Sequence, residues 1–251
     1  MNEASRVRSA LIDGDGYVCL PEVISPREAG EVRARLLERI GDGQTLEEGV
    51  IGMANLERIL PWDVFERLAT QPRLLAAAHA LLGEDATLAA FSARVLMSGC
   101  APGRVHVDWP YWGMEPGMPV DPPLMMQVIW MMEPFSPGNG STRVAAGSQR
   151  WGGIPDAERF EQSMCQVSGA AGDAILSHGL LWHQTAVNRS SQPRVAILIN
   201  YSQFVVRPLR EPGPFTEEQT ANASPALRRL LLLDRQESIR RRLSRFSTTR
   251  R

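Results

Sequence analysis

Two histidines and one aspartate in this chain are spaced in a way that suits the binding of a redox-active metal ion. His106 and Asp108 flank Val107, and residues two apart on an extended segment point to the same side, so both could hold one ion. With a second imidazole they would form the two-histidine, one-carboxylate triad that binds Fe(II) and leaves coordination positions open. Taken alone, the pattern arises often by chance, and a loop histidine beside a turn aspartate is its commoner explanation.

The third ligand has to come from the other histidines, of which the chain has three. His79 falls in a predicted helix, whereas His178 and His183 both follow a glycine–aspartate turn at residues 172–173. Because they are an odd number of residues apart, a continuous strand would send them to opposite faces, so at most one can join His106. The other is expected in the core, hydrogen-bonded to a buried group.

Residues downstream of His183 could bind a dicarboxylate such as 2-oxoglutarate. This molecule chelates iron through its 2-oxo acid end, and a guanidinium matches its far carboxylate with two parallel hydrogen bonds. Arg194 opens an apolar run, a position where a surface arginine is also common. A hairpin through residues 188–191 would bring Arg194 beside the strand of His183, and Thr185 lies on the same face as His183 with its hydroxyl available. We therefore predict His183 as the third ligand and His178 as the core residue.

Polar and aromatic residues elsewhere could contact a cofactor or substrate. Gln127 lies in an apolar run and is either a cofactor contact or a hydrogen-bonded core amide. Trp109, Tyr111 and Trp112 directly follow the first two ligands. They predict a lid over a small substrate that is apolar or aromatic in part, or else a structural loop whose rings pack on a sheet edge.

The elements that must position these residues change in type along the chain. Residues 1–85 read as mostly helical, with a capping box at Ser25 and Glu28 before one helix and a second helix over residues 71–82. The glycine- and glutamate-rich residues 41–52 predict a mobile loop. We also expect an amphipathic C-terminal helix over residues 224–246.

Residues 86–206 predict the core that carries the site. Short runs rich in β-forming or apolar residues are separated by Gly, Pro and Asn clusters; they span residues 86–97, 124–132, 141–145, 164–167, 173–176 and 195–203. Helices followed by many short strands predict a mainly β fold with flanking helices, whose core is a β-sandwich or a cupin-like jelly roll. Residues 1–251 are expected to form one domain.

Composition indicates the compartment of the protein and the partners that it is expected to lack. The three cysteines are widely spaced without a metal-binding or disulfide pattern, and no apolar run is long enough for a bilayer, so we expect a cytoplasmic protein with no membrane partner. The last 25 residues hold nine arginines against two acidic residues, which leaves an acidic body that argues against nucleic-acid binding. Every basic residue other than histidine is arginine, so an anion site here has to use arginine or a charged histidine. The oligomeric state is left open.

Four segments, taken in order, resemble the phytanoyl-CoA dioxygenase (PhyH) family of Fe(II)/2-oxoglutarate-dependent oxygenases. They are His106-Val107-Asp108, residues 139–148, residues 172–183, and Arg194. The resemblance covers roughly residues 86–203 and implies a double-stranded β-helix, Fe(II), and 2-oxoglutarate and O₂ as co-substrates. It implies that His106, Asp108 and His183 are the iron ligands, and that Arg194 and Thr185 bind 2-oxoglutarate.

Two positions refine what this resemblance implies. Gln149 stands where the family commonly has a histidine, a change that leaves the ligands intact. Related halogenases have a small residue in place of the carboxylate ligand, so Asp108 favours hydroxylation of an unactivated C–H bond in a small metabolite, for which secondary-metabolite biosynthesis is a fitting setting. The alternatives are a non-catalytic jelly-roll protein that binds a metal or ligand, an acyl-CoA α-hydroxylase, and a metal enzyme without a co-substrate. Desaturation, ring closure and epimerisation stay open beside hydroxylation.

Overall fold

Helices surround the sheets in the computed structural model, which describes residues 1–47, 49–53, 63–114, 117–208 and 215–234. The Ser25 side chain accepts a hydrogen bond from the backbone N–H of Glu28, and Pro26 takes the first helical position, so the second helix begins where the sequence predicts. The helices are α1 (Glu3–Ile12), α2 (Pro26–Glu38), α3 (Asp63–Ala69), α4 (Pro72–Leu82), α5 (Ala157–Ser163), α6 (Glu217–Asn222) and α7 (Pro225–Leu230).

The described strands form two antiparallel sheets. They are β1 (Tyr17–Leu20), β2 (Gln44–Glu47), β3 (Val50–Met53), β4 (Thr87–Leu96), β5 (Met125–Met131), β6 (Thr142–Ala145), β7 (Met164–Gln166), β8 (Ala174–His178), β9 (His183–Thr185) and β10 (Arg194–Ser202). The large sheet has the order β1-β8-β5-β10-β4-β3-β2, and the small sheet has the order β7-β6-β9. This arrangement confirms the predicted mainly β fold with flanking helices.

The two faces of the large sheet pack against different partners. On the central strands β5 and β10, Trp130 and Ile197 join the main core with the helices, whereas Ile129 and Ala196 join a second core with Val144 of the small sheet. This alternation follows from the two-residue period of a strand. Arg194 has the parity of Ala196, so it lies on the face that is turned toward the small sheet.

Two predicted elements differ from the structure. Residues 41–52 contain β2 and most of β3, and β3 pairs with β4 from Val50↔Leu96 onward, so the predicted mobile loop is wrong. Pairing at the sheet edge there outweighs the turn-forming tendency of the glycines. The predicted C-terminal helix begins as α7, but Leu232 has φ 55°, a left-handed conformation that ends a helix. Residues 235–246 of that prediction lie outside the described part of the chain.

None of the helices in the described part of the chain is long and apolar enough to cross a membrane.

Strands also enter the segment that was predicted to be mostly helical, because β1 pairs with β8 at one edge of the large sheet. That the whole of residues 1–251 forms one domain stays a prediction.

Candidate active site

The three predicted metal ligands converge. Donor atoms of His106, Asp108 and His183 all lie within 4.8 Å of one another. The backbones of the two histidines exchange both hydrogen bonds, from each N–H to the other C=O at 3.0 Å, and the backbone N–H of Asp108 donates to Gly179 at 3.0 Å. These backbone hydrogen bonds hold the segment of His106 and Asp108 beside His183. Ligands that are 75 or more positions apart in the chain therefore meet at one site.

Backbone carbonyls set the direction of both imidazoles. Nδ1 of His106 lies 2.8 Å from the carbonyl oxygen of Arg104, and Nδ1 of His183 lies 2.9 Å from that of Leu181. Since a carbonyl only accepts, each Nδ1 carries the proton, and each Nε2 keeps its lone pair for a metal. This is the tautomer that metal-ligating histidines need.

Burial also keeps the donor set ready for a cation. Burial lowers the pKa of His183, and the neighbouring His106 lowers it further, which favours the neutral imidazole that ligates a metal. Asp108 Oδ1 lies 4.0 Å from His183 Nε2, and the buried Oδ2 of Asp108 has no hydrogen-bond partner among the described residues. A buried carboxylate oxygen without a partner is unfavourable unless a cation or donor completes it, so the residues fit a divalent ion.

Arg194 is buried with spare hydrogen-bonding capacity. Its side chain donates from Nη2 to the carbonyl of Gly140 at 2.5 Å and lies over the ring of Phe135, 4.4 Å from the centroid. Its Nε has no partner among the described residues. Burial lowers the pKa of Arg194 to about 10, opposed by the charge of Glu133, so the guanidinium stays charged at neutral pH.

Glu133 does not satisfy this guanidinium. One of its carboxylate oxygens accepts from the backbone N–H of Val195 at 2.5 Å, and the other accepts from Arg33. Arg194 therefore keeps room for an external carboxylate. The residue whose carbonyl accepts the hydrogen bond from Arg194 has to be a glycine. Gly140 has φ 79°, and a Cβ there would lie 2.8 Å from the carbonyl oxygen of Ala186.

One cavity of about 390 Å³ joins the metal ligands to Arg194. The wall also includes Thr185 and Gln127, both predicted cofactor contacts, and the Oε1 atom of Gln127 has no partner among the described residues. The structure therefore places Gln127 toward the cavity rather than in a hydrogen-bonded core. Thr142, which is the cross-strand neighbour of Thr185, lines the same wall.

The predicted hairpin between His183 and Arg194 is wrong. β9 pairs with β6 in the small sheet, whereas β10 pairs with β4 and β5 in the large sheet. Buried Asn188 directs this crossover, because its side-chain amide donates to the carbonyls of Leu96 and Gln192. Arg194 therefore reaches the site from the opposite sheet, across the cavity instead of beside His183.

The three aromatic residues of the predicted lid separate into two groups. Trp109 and Trp112 line the cavity, with ring centroids 5.3 Å apart, and the indole N–H of Trp109 donates to the carbonyl of Arg207. Tyr111 is buried instead with Val107 and Met125 (the packing alternative), and its hydroxyl accepts a hydrogen bond from the backbone N–H of Leu124. Two of the three rings therefore line the cavity that holds the metal ligands, and the ring of Tyr111 does not.

Sequence reasoning missed several cavity residues on the large sheet. They share the inward parity of their strands, which a strand-by-strand count from Arg194 and Gln127 would have found. On β4 and β10 these residues are Ser92, Arg94 and Asn200, and Arg104 joins them from the segment before His106.

Comparison with known proteins identifies the family of this chain. The model of the phytanoyl-CoA dioxygenase (PhyH) family matches residues 12–196, about three quarters of the chain. The chain belongs to this family. The family resemblance read from the four sequence segments is thus confirmed.

Three named relatives each align over more than four fifths of this chain. A protein named dioxygenase af480, from Aspergillus fumigatus, is 27% identical and aligns over 87% of this chain and 74% of its own. The L-proline trans-4-hydroxylase of Streptomyces griseoviridis is 26% identical over 82% and 90% of the two chains. The ectoine dioxygenase of Nocardia farcinica is 26% identical over 82% and 81%.

A solved structure shares the fold of this family member. The epimerase SnoN, in complex with Fe³⁺, alpha-ketoglutarate and nogalamycin RO, aligns over 86% of this chain and 96% of its own, with a TM-score of 0.66 and 20% identity. Family membership and the converging ligands together make the chain an Fe(II)/2-oxoglutarate-dependent dioxygenase, with O₂ as the second co-substrate.

Proposed function

We propose that this dioxygenase hydroxylates an unactivated C–H bond of a small molecule, with His106, Asp108 and His183 as its iron ligands. Arg194, with the Thr185 hydroxyl, binds the far carboxylate of 2-oxoglutarate. One observation carries this assignment: three donors within 4.8 Å of one another share a cavity with a buried guanidinium whose Nε has no partner among the described residues.

The protein contributes position and exclusion of water to this reaction. Bound iron with 2-oxoglutarate and O₂ supplies the oxidising power, with succinate and CO₂ as products. The carbonyls of Arg104 and Leu181 hold the two imidazoles at fixed angles. Phe135 and Gly140 hold Arg194 from two sides, so its fork is oriented before 2-oxoglutarate arrives.

The cavity indicates a small substrate. Its volume of about 390 Å³ lies near the lower end of the range for ligand sites, about 300–1,000 Å³. That space has to hold 2-oxoglutarate as well, which disfavours a bulky acyl-CoA thioester. Relatives whose names specify proline and ectoine support a small metabolite, and Trp109 and Trp112 suit an apolar or aromatic part of it.

Coupled turnover tests this function. The protein is incubated with Fe(II), ascorbate, 2-oxoglutarate and a panel of small metabolites that includes proline and ectoine. We expect one panel member to yield succinate together with an equal amount of a product heavier by one oxygen atom. Asp108→Ala serves as the control and is expected to abolish both products, because it removes the anionic ligand.

Other outcomes point to the remaining functions. Stoichiometric iron binding without succinate, in the presence of every panel member, would indicate a binding protein. Full turnover by Arg194→Ala, with no dependence on 2-oxoglutarate, would indicate a metal enzyme without a co-substrate. Succinate formation with an acyl-CoA alone would indicate an acyl-CoA hydroxylase.

A further inference from the structure

The cavity carries more positive charge than the proposed cofactor binding uses. Among the described residues that line it, the guanidinium groups of Arg94, Arg104 and Arg194 face one carboxylate, Asp108. A ferrous ion and a 2-oxoglutarate dianion have equal and opposite charges, so binding both leaves this imbalance unchanged. Arg194 is already assigned to 2-oxoglutarate and Arg94 interacts within the protein, so Arg104 remains.

Arg104 is the arginine best placed to meet a substrate. It lies two residues before His106 and four before Asp108 in an extended segment, and alternation puts all three side chains on the same side. The segment is held there by backbone hydrogen bonds on both sides of Arg104, from Gly103 to the carbonyl of Thr185 and between the backbones of His106 and His183. Arg104 therefore lines the cavity wall, exposed to solvent, on the segment that carries two of the proposed iron ligands.

The exposed side chain of Arg104 makes no contact with the described residues that holds it to the fold. In the described part of the chain, Arg104 makes neither an ion pair nor a side-chain hydrogen bond, although its backbone carbonyl orients His106. Arg143, by comparison, pairs with Glu161 and Gln184. Trp109 and Trp112 line the same cavity as Arg104, so the cavity offers aromatic rings and a cationic group to one bound molecule. Such a pair suits a ligand with an aromatic or alicyclic body.

We infer that the substrate is a small carboxylic acid with an aromatic or alicyclic body, and that Arg104 binds its carboxylate. This inference rests on the proposed function and specifies the substrate class of the same site. Arg104 is a specificity-determining residue: it selects an anion at the cavity wall, and the tryptophans contact the apolar body. A planar fork facing a carboxylate provides both charge and geometry for this selection.

Binding to the anaerobic protein with Fe(II) and 2-oxoglutarate tests this inference. The probes are matched pairs, benzoate with benzamide, cyclohexanecarboxylate with cyclohexanecarboxamide, and indole-3-acetate with indole-3-acetamide. Binding is followed by perturbation of the iron-to-2-oxoglutarate charge-transfer band and by the shift in melting temperature. We expect at least one acid to bind about tenfold or more tightly than its amide.

Variants of Arg104 test whether its side chain causes the preference for an acid over the matching amide. Arg104→Gln is expected to bring the acid down to the affinity of its amide, and Arg104→Lys to restore part of the difference, because it keeps the charge but loses the fork. Arg189→Gln is the matched control, since it removes an exposed arginine outside the cavity wall. It is expected to leave the preference unchanged.

Each remaining result overturns either the inference or the function beneath it. Amides that bind as tightly as acids, an acid preference that survives Arg104→Gln, or an intact band that no acid perturbs would each overturn the inference. Absence of the charge-transfer band before any probe is added would overturn the proposed function instead.

Discussion

His178 and His183 lie five residues apart, at the end of β8 and the start of β9, and both are buried, but their rings are used differently. Nδ1 of His178 accepts from the backbone N–H of Leu180 and its Nε2 lies 2.9 Å from the carbonyl of Val120, so both nitrogens are satisfied. His183 uses only Nδ1 within the protein, and its Nε2 faces Asp108. Unused donors and acceptors therefore distinguish a binding group from a structural one, whereas burial alone does not.

The same distinction separates the arginines. Arg33 has its guanidinium engaged by Glu133 and by the carbonyl of Pro193, and it holds α2 against the start of β10. Arg194 is more deeply buried and keeps its Nε without a partner among the described residues. An unpaired buried charge costs free energy of folding, which is the reason such a group indicates a ligand.

Loss of His183 should have the largest effect on function. We expect His183→Ala to lower iron affinity and 2-oxoglutarate turnover by more than about a hundredfold, because even partners of metal ligands are worth about 10- to 100-fold. Bound iron after desalting, and succinate formation, are the measurements. The free energy of unfolding should fall by about 1 kcal/mol, because the carbonyl of Leu181 loses its hydrogen bond from Nδ1, whereas Nε2 contributes no bond to the fold.

His178→Ala is the matched control and sharpens the contrast. It leaves the N–H of Leu180 and the carbonyl of Val120 without partners, so the free energy of unfolding should fall by about 2–3 kcal/mol. Iron stoichiometry should stay at that of the wild-type protein. Loss of iron from this variant while it remains folded would erase the difference between the two histidines.

Local spacing in the sequence was enough to predict most of this site. The two-residue period put His106 and Asp108 on one side, and the odd separation of His178 from His183 gave them different environments. Spacing does not tell which sheet a strand joins, so the eleven residues from His183 to Arg194 were taken for a hairpin. The partner of His178 could not be predicted either, because Val120 is brought to it by a loop 58 residues away in the chain.

Removal of Arg194 should affect 2-oxoglutarate more than the fold. Arg194→Gln is expected to raise the dissociation constant for 2-oxoglutarate by about 10- to 100-fold, which is the range for a hydrogen bond to a charged group. Iron affinity without 2-oxoglutarate should be nearly unchanged. Calorimetric titration under anaerobic conditions measures both.

A paired arginine provides the comparison. Arg73 binds Glu3 through two nitrogens and lies outside the cavity wall, so Arg73→Gln should lower stability and leave 2-oxoglutarate affinity as in the wild-type protein. Equal 2-oxoglutarate affinities in Arg194→Gln and Arg73→Gln would show that the spare capacity of Arg194 has no function.

Acid pH should weaken the fold through His178. Burial lowers its pKa below the ordinary value, so as pH falls below about 6.5 the unfolded chain gains a proton that the folded protein does not. The free energy of unfolding should therefore fall with pH, by up to about 1.4 kcal/mol per pH unit for each such group. Burial also lowers the pKa of His79 and His183, which act with the same sign.

Urea unfolding of the metal-free protein between pH 7 and pH 5 measures this dependence. His178→Gln removes one of the three groups, so its stability should decline less steeply than that of the wild-type protein. A slope identical to that of the wild-type protein would mean that His178 takes up its proton without loss of native structure.

The smallest effects should separate two neighbours in the aromatic segment. Tyr111→Phe removes the acceptor for the N–H of Leu124 and should lower the free energy of unfolding by about 1 kcal/mol, with substrate affinity unchanged. Trp112 is 56% exposed, so Trp112→Ala should leave stability within about 0.5 kcal/mol and raise the KM for the substrate severalfold. A reversed pattern would assign the lid role to Tyr111.

Anaerobic titration of the metal-free protein with Fe(II) and then 2-oxoglutarate tests the central claim most directly. The visible charge-transfer band that forms when 2-oxoglutarate chelates a protein-bound ferrous ion should appear in the wild-type protein and in His178→Ala. It should be absent from His183→Ala and should need far more 2-oxoglutarate in Arg194→Gln. A band of wild-type intensity and midpoint in both His183→Ala and Arg194→Gln would contradict the assignment of this site.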